Sequence, residues 1–140
     1  MVATDYYQLY RKLTDEQRLI QQSTAQWVQS FIKPKIDSCF KEGEDLEDVV
    51  EKLAEIGAFG LIIPEKYGGM GADYISYGLM MQELERGDTS GRVLSSIQTS
   101  LVMYAIYRFG SEKQKDYYLP KLASGEFLGA FGLTEPNYGS

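Results

Sequence analysis

Gly129-Ala130-Phe131-Gly132-Leu133-Thr134-Glu135-Pro136-Asn137-Tyr138-Gly139-Ser140 closes the chain, and its reading decides the fold. The apolar run 127–133 predicts an extended strand, which a threonine, an acid and a proline then deliver into a turn with a hydroxyl at its lip. Gly132, Gly139 and the small Ser140 let a bulky planar or phosphorylated group approach the main chain. Pro136 withholds one N–H and sets the bend. From the residues alone this is either the ligand-contacting end of a strand or an ordinary strand entering an ordinary turn. A single strand at the end of a helical chain leaves its amides unpaired, so the expectation is a chain cut from a larger protein that continues past Ser140.

Upstream, the periodicity is helical throughout. Met1 to Leu13 is polar and tyrosine-rich and reads as a partly ordered arm. Thr14-Asp15-Glu16-Gln17 is a capping box that opens a first helix, with Ile20, Thr24, Trp27, Val28, Phe31 and Ile32 on one face and Pro34 expected to bend or end it. After the polar break 41–44, Asp45 opens a second helix whose stripe is Leu46, Val49, Val50, Leu53 and Ile56, stopped by Gly57. The glycine-rich stretch 58–71 has no Gly-Lys-Ser/Thr and no dinucleotide-fingerprint spacing, so it reads as a tight connector and not a phosphate loop. Asp73 caps a third helix to about Arg86, with Ile75, Tyr77, Leu79, Met80 and Leu84 on its buried side. A fourth helix, 92–109, carries Val93, Leu94, Ile97, Leu101, Val102, Ala105 and Ile106; as the most apolar segment it is expected at the centre of the bundle. Ser111-Glu112-Lys113-Gln114 is a second capping box, opening a short helix through Tyr118, with Pro120 resetting the backbone before one further turn. The fold class is therefore mostly α, an up-and-down bundle of five to six helices over 1–126, followed at 127–140 by the first strand of an absent β domain.

Composition narrows the chemistry. At 140 residues the chain fits one domain, and a chain of this size buries about two thirds of its unfolded surface. Histidine is absent and there is one cysteine, which excludes histidine catalysis, an internal disulfide and a cysteine metal cluster within this chain. Fourteen basic against twenty acidic residues give a net charge of -6, which argues against nucleic acid or a basic membrane surface. No stretch is long and apolar enough to span a bilayer and residues 1–13 lack a secretory core, so a cytoplasmic protein is expected.

Phe131, Leu133, Thr134, Glu135, Pro136, Gly139 and Ser140 match in order the segment that opens the middle domain of the acyl-CoA dehydrogenase family, which the chain resembles from about Leu13 onward. Pro64 to Gly69 matches that family's connector. The runs 96–103, 118–126 and 131–136 look like its glutaryl-CoA dehydrogenase branch. The resemblance implies an FAD-dependent oxidation of an acyl-CoA substrate, a homotetramer, and an electron-transferring flavoprotein as partner. It also implies that the catalytic base comes from a carboxy-terminal domain. None of Glu83, Glu85, Glu126 and Glu135 matches it, so no catalytic residue is assigned, and no metal site is expected.

Carried over residue by residue, Phe131 and Leu133 line the flavin edge and Thr134 bonds its polar atoms. Gly139 and Ser140 sit by the pyrophosphate and the thioester arm. Arg92 resembles the arginine that meets the distal carboxylate in the glutaryl-CoA branch, a role that suits a two-pronged guanidinium, and Glu85 resembles an acid that holds it. Val93 departs from that branch, where a serine is typical, and this removes one polar contact to the substrate. A short or medium straight-chain acyl-CoA dehydrogenase, an oxidase, and a helical interaction module without chemistry remain the alternatives.

Overall fold

The computed structural model describes residues 6–43 and 48–139. Among these, five continuous helices form the body and no residue lies in a β-strand. The first begins at Thr14, whose Oγ1 accepts the Gln17 N–H at 3.2 Å while Gln17 Oε1 accepts the Thr14 N–H at 3.0 Å. Asp15–Trp27, a wide π turn Val28–Ile32 and Lys33–Glu42 run on as one helix, α1. Pro34 therefore does not end it. The Lys33 N–H reaches back five residues to the Val28 carbonyl, and this wider turn accommodates the proline ring that a regular helix would exclude. Gly43, at φ 70°, is the real stop.

Helix α2 is Val49–Glu55. Leu53 is fully buried, with Val49, Val50 and Ile56 packed around the same core; the expected opening residues Asp45 and Leu46 lie outside the described residues. Helix α3, Tyr74–Gly87, is capped as expected by Asp73, whose Oδ1 accepts the Ser76 N–H at 2.7 Å. The other carboxylate oxygen accepts from Gln17 Nε2 at 2.6 Å, so one side chain joins the starts of α1 and α3. A single extended residue, Asp88, separates α3 from α4, which is built from Thr89–Ser96, the wide turn Ile97–Met103 and Tyr104–Phe109. The fourth helix thus starts three residues earlier than expected, because Asp88 Oδ2 accepts the N–H groups of Ser90 and Gly91 and caps it there. Helix α5, Glu112–Ala123, opens on the expected Ser111–Gln114 box. It continues through Pro120 without a reset, since Leu119, Leu122 and Ala123 on either side are buried in one cluster.

The bundle packs α1 along α3, α3 along α4, and α5 against the end of α4. The connector 57–72, not a helix, holds the longest unbroken run of buried residues, 58–61, among the described residues. Ala58, Phe59, Leu61, Ile63 and Tyr67 are all buried, and backbone bonds such as Ala72 N–H to Leu61 O at 2.9 Å and Gly71 N–H to Ile63 O at 2.8 Å fold it on itself. The chain passes so close at Gly69 that an added Cβ would run into the carbonyls of Ile63 and Gly60. The tight connector reading holds, and the loop is also a core element.

On two helices the buried face matches the expected one only in part: Met80 and Leu84 of α3 are buried, and Leu94, Val102 and Ile106 of α4 pack against the core, but the most buried positions include others. On α3 the inward residues are Ser76, Met80, Met81, Glu83 and Leu84, whereas Ile75 is 55% exposed. On α4 the inward residues are Gly91, Ser95, Gln98, Thr99 and Met103. Val93, Ile97 and Val102 are half-buried and Leu101 is exposed. Both helices carry apolar residues on two sides, and the neighbours supplied by α1, α5 and the connector select between them; on α4 the selected side carries the small and amide-bearing residues.

Replacing Gly69 with alanine is expected to destabilise the protein by about 3 kcal/mol, because fixed backbone, not a mobile side chain, occupies the space. Gly78, in the exposed middle of α3 with nothing near its missing Cβ, is expected to gain about 1 kcal/mol on the same change. Urea denaturation of the two variants beside the wild type checks both signs.

Candidate functional site

Gln98 and Thr99, neighbours in the wide turn of α4, are 1% and 0% exposed. A buried amide or hydroxyl is costly unless its bonds are made, and here they are made to the main chain of two separate loops. Thr99 Oγ1 donates to the Ala58 carbonyl at 3.1 Å and accepts the Gly60 N–H at 2.9 Å, which fixes the connector. Gln98 Nε2 donates to the carbonyls of Leu122 at 2.9 Å and Phe127 at 2.8 Å. Its Oε1 accepts the Gly129 N–H at 2.9 Å. The amide thereby serves the last turn of α5 and both ends of the dipeptide step 127–129. Among the described residues no buried side-chain nitrogen or oxygen lacks a partner.

Among the described residues, 127–139 form no β-strand within this chain. A strand is defined by a neighbouring strand that takes its alternate N–H and C=O groups, and at 127 and 129 the Gln98 side chain takes them instead. Gly129 lies against α4 so closely that a Cβ would strike Val102. From there the segment leaves the body: Phe131 is 50% and Leu133 56% exposed, and the space over Gly132 is open. The segment ends in a turn in which Tyr138 N–H reaches Glu135 O at 3.2 Å and Glu135 N–H reaches Gly139 O at 3.3 Å. Asn137 and Gly139 are both in the left-handed region there. Thr134 and Gly139 are exposed on this stretch; Ser140 lies outside the described residues. Two exposed apolar side chains flanking bare main chain fit one edge of a flat aromatic ring system, and the turn presents backbone to a polar or charged group.

The second candidate region lies at the start of α4. Arg92 Nε donates to Glu85 Oε2 at 2.7 Å, and Thr89 Oγ1 donates to Glu85 Oε1 at 2.9 Å. The expected Glu85–Arg92 pairing is therefore formed, and it engages only the Nε edge of the guanidinium among the described residues. Arg92 and Thr89 together hold the Glu85 carboxyl below the usual glutamate range. Val93, beside it, is half-buried and offers no polar atom. Ser96 and Ser100 follow at four-residue steps on the same side of the helix. Burial raises the pKa of Tyr77 on α3, opposed by the Ser100 side chain and by the Arg92 charge. Arg92 and the Gln98 clamp are six residues apart, about 9 Å of helix rise, and no hydrogen bond or ion pair joins the two regions among the described residues.

Glu83 is buried but committed to Arg86 Nη1 at 2.6 Å and Gln21 Nε2 at 3.0 Å, a structural tie between α1 and α3. Among the described residues no cluster of acids or cysteine is placed to hold a metal, and no helix is long and apolar enough to cross a membrane. Periodicity alone missed Gln98, Thr99, Ser100 and the polar role of Tyr77. The available signal was an amide and a hydroxyl side by side in the most apolar helix, three and four residues after Ser95.

The Glu85–Arg92 pair yields a titration test. A depressed carboxyl pKa means the pair is complete at neutral pH and is lost as pH falls through that lowered value. Carbon-detected NMR should show Glu85 titrating below the ordinary glutamate range, and Arg92→Ala should move it up; an unmoved Glu85 titration would contradict the pairing.

Residues 14–126 match the family described as acyl-CoA dehydrogenase, N-terminal domain. An acyl-CoA dehydrogenase of Bacillus subtilis is 38% identical over 128 residues, which are 91% of this chain and 34% of that protein. A glutaryl-CoA dehydrogenase of Mycobacterium smegmatis, solved in complex with FADH2, superposes with a TM-score of 0.87 at 38% identity, over 96% of this chain and 34% of the other. The butyryl-CoA dehydrogenase of Megasphaera elsdenii does so with a TM-score of 0.83 at 35% identity, over 91% of this chain and 34% of the other. The chain thus spans about a third of the length of the relatives it matches. On the match over 14–126 and on the helical order above, the chain belongs to the acyl-CoA dehydrogenase amino-terminal domain family.

Proposed function

We propose that this chain is the helical amino-terminal part of an FAD-dependent acyl-CoA dehydrogenase, with 127–140 opening a middle β domain, and that its substrate carries a carboxylate at the far end of the acyl group. The observation that supports the flavin part most is the exit segment, clamped at Gly129 and then open where a Cβ would stand at Gly132. In this reading Phe131 and Leu133 line the edge of the ring system. Thr134, Gly139 and Ser140 bond its polar and phosphate groups. FAD, when bound, would supply the hydride acceptor for oxidation of a CoA thioester at its β carbon, and no residue of this chain is assigned as the base for the α proton. The chain's share is to shape one wall, keep water from it, and place the acyl tail. A cytoplasmic homotetramer that passes electrons to an electron-transferring flavoprotein completes the proposal, supported by the family resemblance.

The distal carboxylate is assigned to Arg92, whose Nε bond to Glu85 fixes the plane of the guanidinium and directs its other edge. A straight-chain substrate is the competing reading. The half-buried Val93 beside Arg92, which adds no hydroxyl to the corner, favours it.

Arg92→Ala in the complete protein separates the two. A charged hydrogen bond to substrate is worth about 1.5–3 kcal/mol, so the ratio of glutaryl-CoA to butyryl-CoA kcat/KM should fall by roughly 10- to 100-fold. An unaltered ratio would sink the carboxylate role. A complete protein that stays colourless after saturation with FAD would instead favour a helical interaction module.

A further inference from the structure

We infer that Gln98 is the positioning residue for the flavin-contact segment: its buried side-chain amide stands in for a neighbouring strand and sets where Phe131, Leu133 and Thr134 are presented. The inference rests on the flavin reading above. Gly129 is the point at which the main chain leaves the body, and Gln98 holds both it and the Phe127 carbonyl, two residues earlier on the same edge. A carboxamide matches this edge because it offers a donor and an acceptor side by side, in the same relation as a peptide group of a paired strand. Its second N–H is committed to the Leu122 carbonyl in the last turn of α5, which also accepts the Gly125 N–H at 3.3 Å. With all three bonds made, the amide has one orientation. Phe131 follows the clamp by only two residues, about 7 Å of extended chain, so a displacement at Gly129 is passed to the contact residues with little slack.

The clamp differs from ordinary core packing in what it fixes. Thr99, next to it, bonds the connector alone, and Leu53 lies in the other hydrophobic cluster. Removing either loosens the body without releasing the segment. Substituting Gln98 releases the segment by an amount that follows the chemistry of the substituent. Leucine removes all three bonds. Glutamate keeps the acceptor for Gly129 but turns an anionic oxygen towards two carbonyls, and burial among them raises its pKa. Once protonated, it regains one donor.

The test uses the complete protein, with FAD affinity by fluorescence quenching and the flavin absorbance spectrum as readouts, and Leu53→Ala as the control for lost stability. Gln98→Leu is expected to weaken FAD binding on the order of tenfold or more and to shift the flavin bands. Leu53→Ala, compared at equal folded fraction, should leave both near wild type. Gln98→Glu should bind FAD weakly at alkaline pH and recover towards wild type as the pH is lowered, which keeps the test decisive if the leucine variant does not fold. FAD affinity and spectrum unchanged in Gln98→Glu across that pH range, or altered equally in Leu53→Ala, would overturn the inference while leaving the flavin reading intact. A wild-type protein that binds no FAD would overturn the flavin reading, and this inference with it.

Discussion

Two adjacent polar side chains, Gln98 and Thr99, are sealed inside the most apolar helix of the protein, and the rest of the fold is arranged to satisfy them. An amide and a hydroxyl taken out of water without partners cost several kcal/mol, comparable to the whole stability of a small domain. Their five bonds go to loop and helix-end backbone: Ala58 and Gly60 on one side, Leu122, Phe127 and Gly129 on the other. Backbone comes within reach only where side chains do not intervene. This accounts for Gly60 and Gly129 at the bonded positions, and for Gly69 packed beneath Gly60 where no Cβ fits. The exchange is mutual, since a loop that crosses a helix without a sheet needs acceptors and donors from somewhere, and these two residues provide them.

The same requirement orients α4. Once Ser95, Gln98, Thr99 and Met103 face inward, Val93, Ile97 and Leu101 fall on the other side and stay half-buried or exposed. Arg92, Ser96 and Ser100 fall on a third, polar edge beside Tyr77. One helix therefore has a polar inner face that holds the loops, an apolar outer face, and an edge with a guanidinium fixed in plane by Glu85. In the proposed enzyme these are the scaffold, the covered wall and the tail-recognition corner.

Much of this was legible in the sequence, and the exceptions have a common cause. Both capping boxes, the Asp73 cap and the Ile20–Ile32 stripe follow from local chemistry, which repeats over three or four residues and is visible in a short window, while the Glu85–Arg92 pairing was expected from the family resemblance. Pro34 and Pro120 misled, because a proline stops a helix only when the surrounding packing does not hold the next turn in place. The buried faces of α3 and α4 were legible only in part, because each helix is apolar on two sides and the tertiary neighbours choose between them. The last stretch has the composition of a strand, yet its pairing partner is a glutamine side chain some thirty residues earlier, a substitution that periodicity has no means of registering. The candidate contact residues Phe131, Leu133 and Thr134 came from a motif resemblance, and the clamp that presents them came from the geometry.

The most direct test of this account is amide hydrogen exchange at three glycines. The Gly60 and Gly129 N–H groups are bonded to side-chain oxygens of Thr99 and Gln98, outside any helix. If the polar pair holds the fold, both amides should exchange in the slow class of the helix cores, near the global unfolding limit, while Gly132 exchanges fast. Gly60 and Gly129 exchanging as quickly as Gly132 would mean that the loops are held by apolar packing alone and that the buried pair does not have the central part assigned to it.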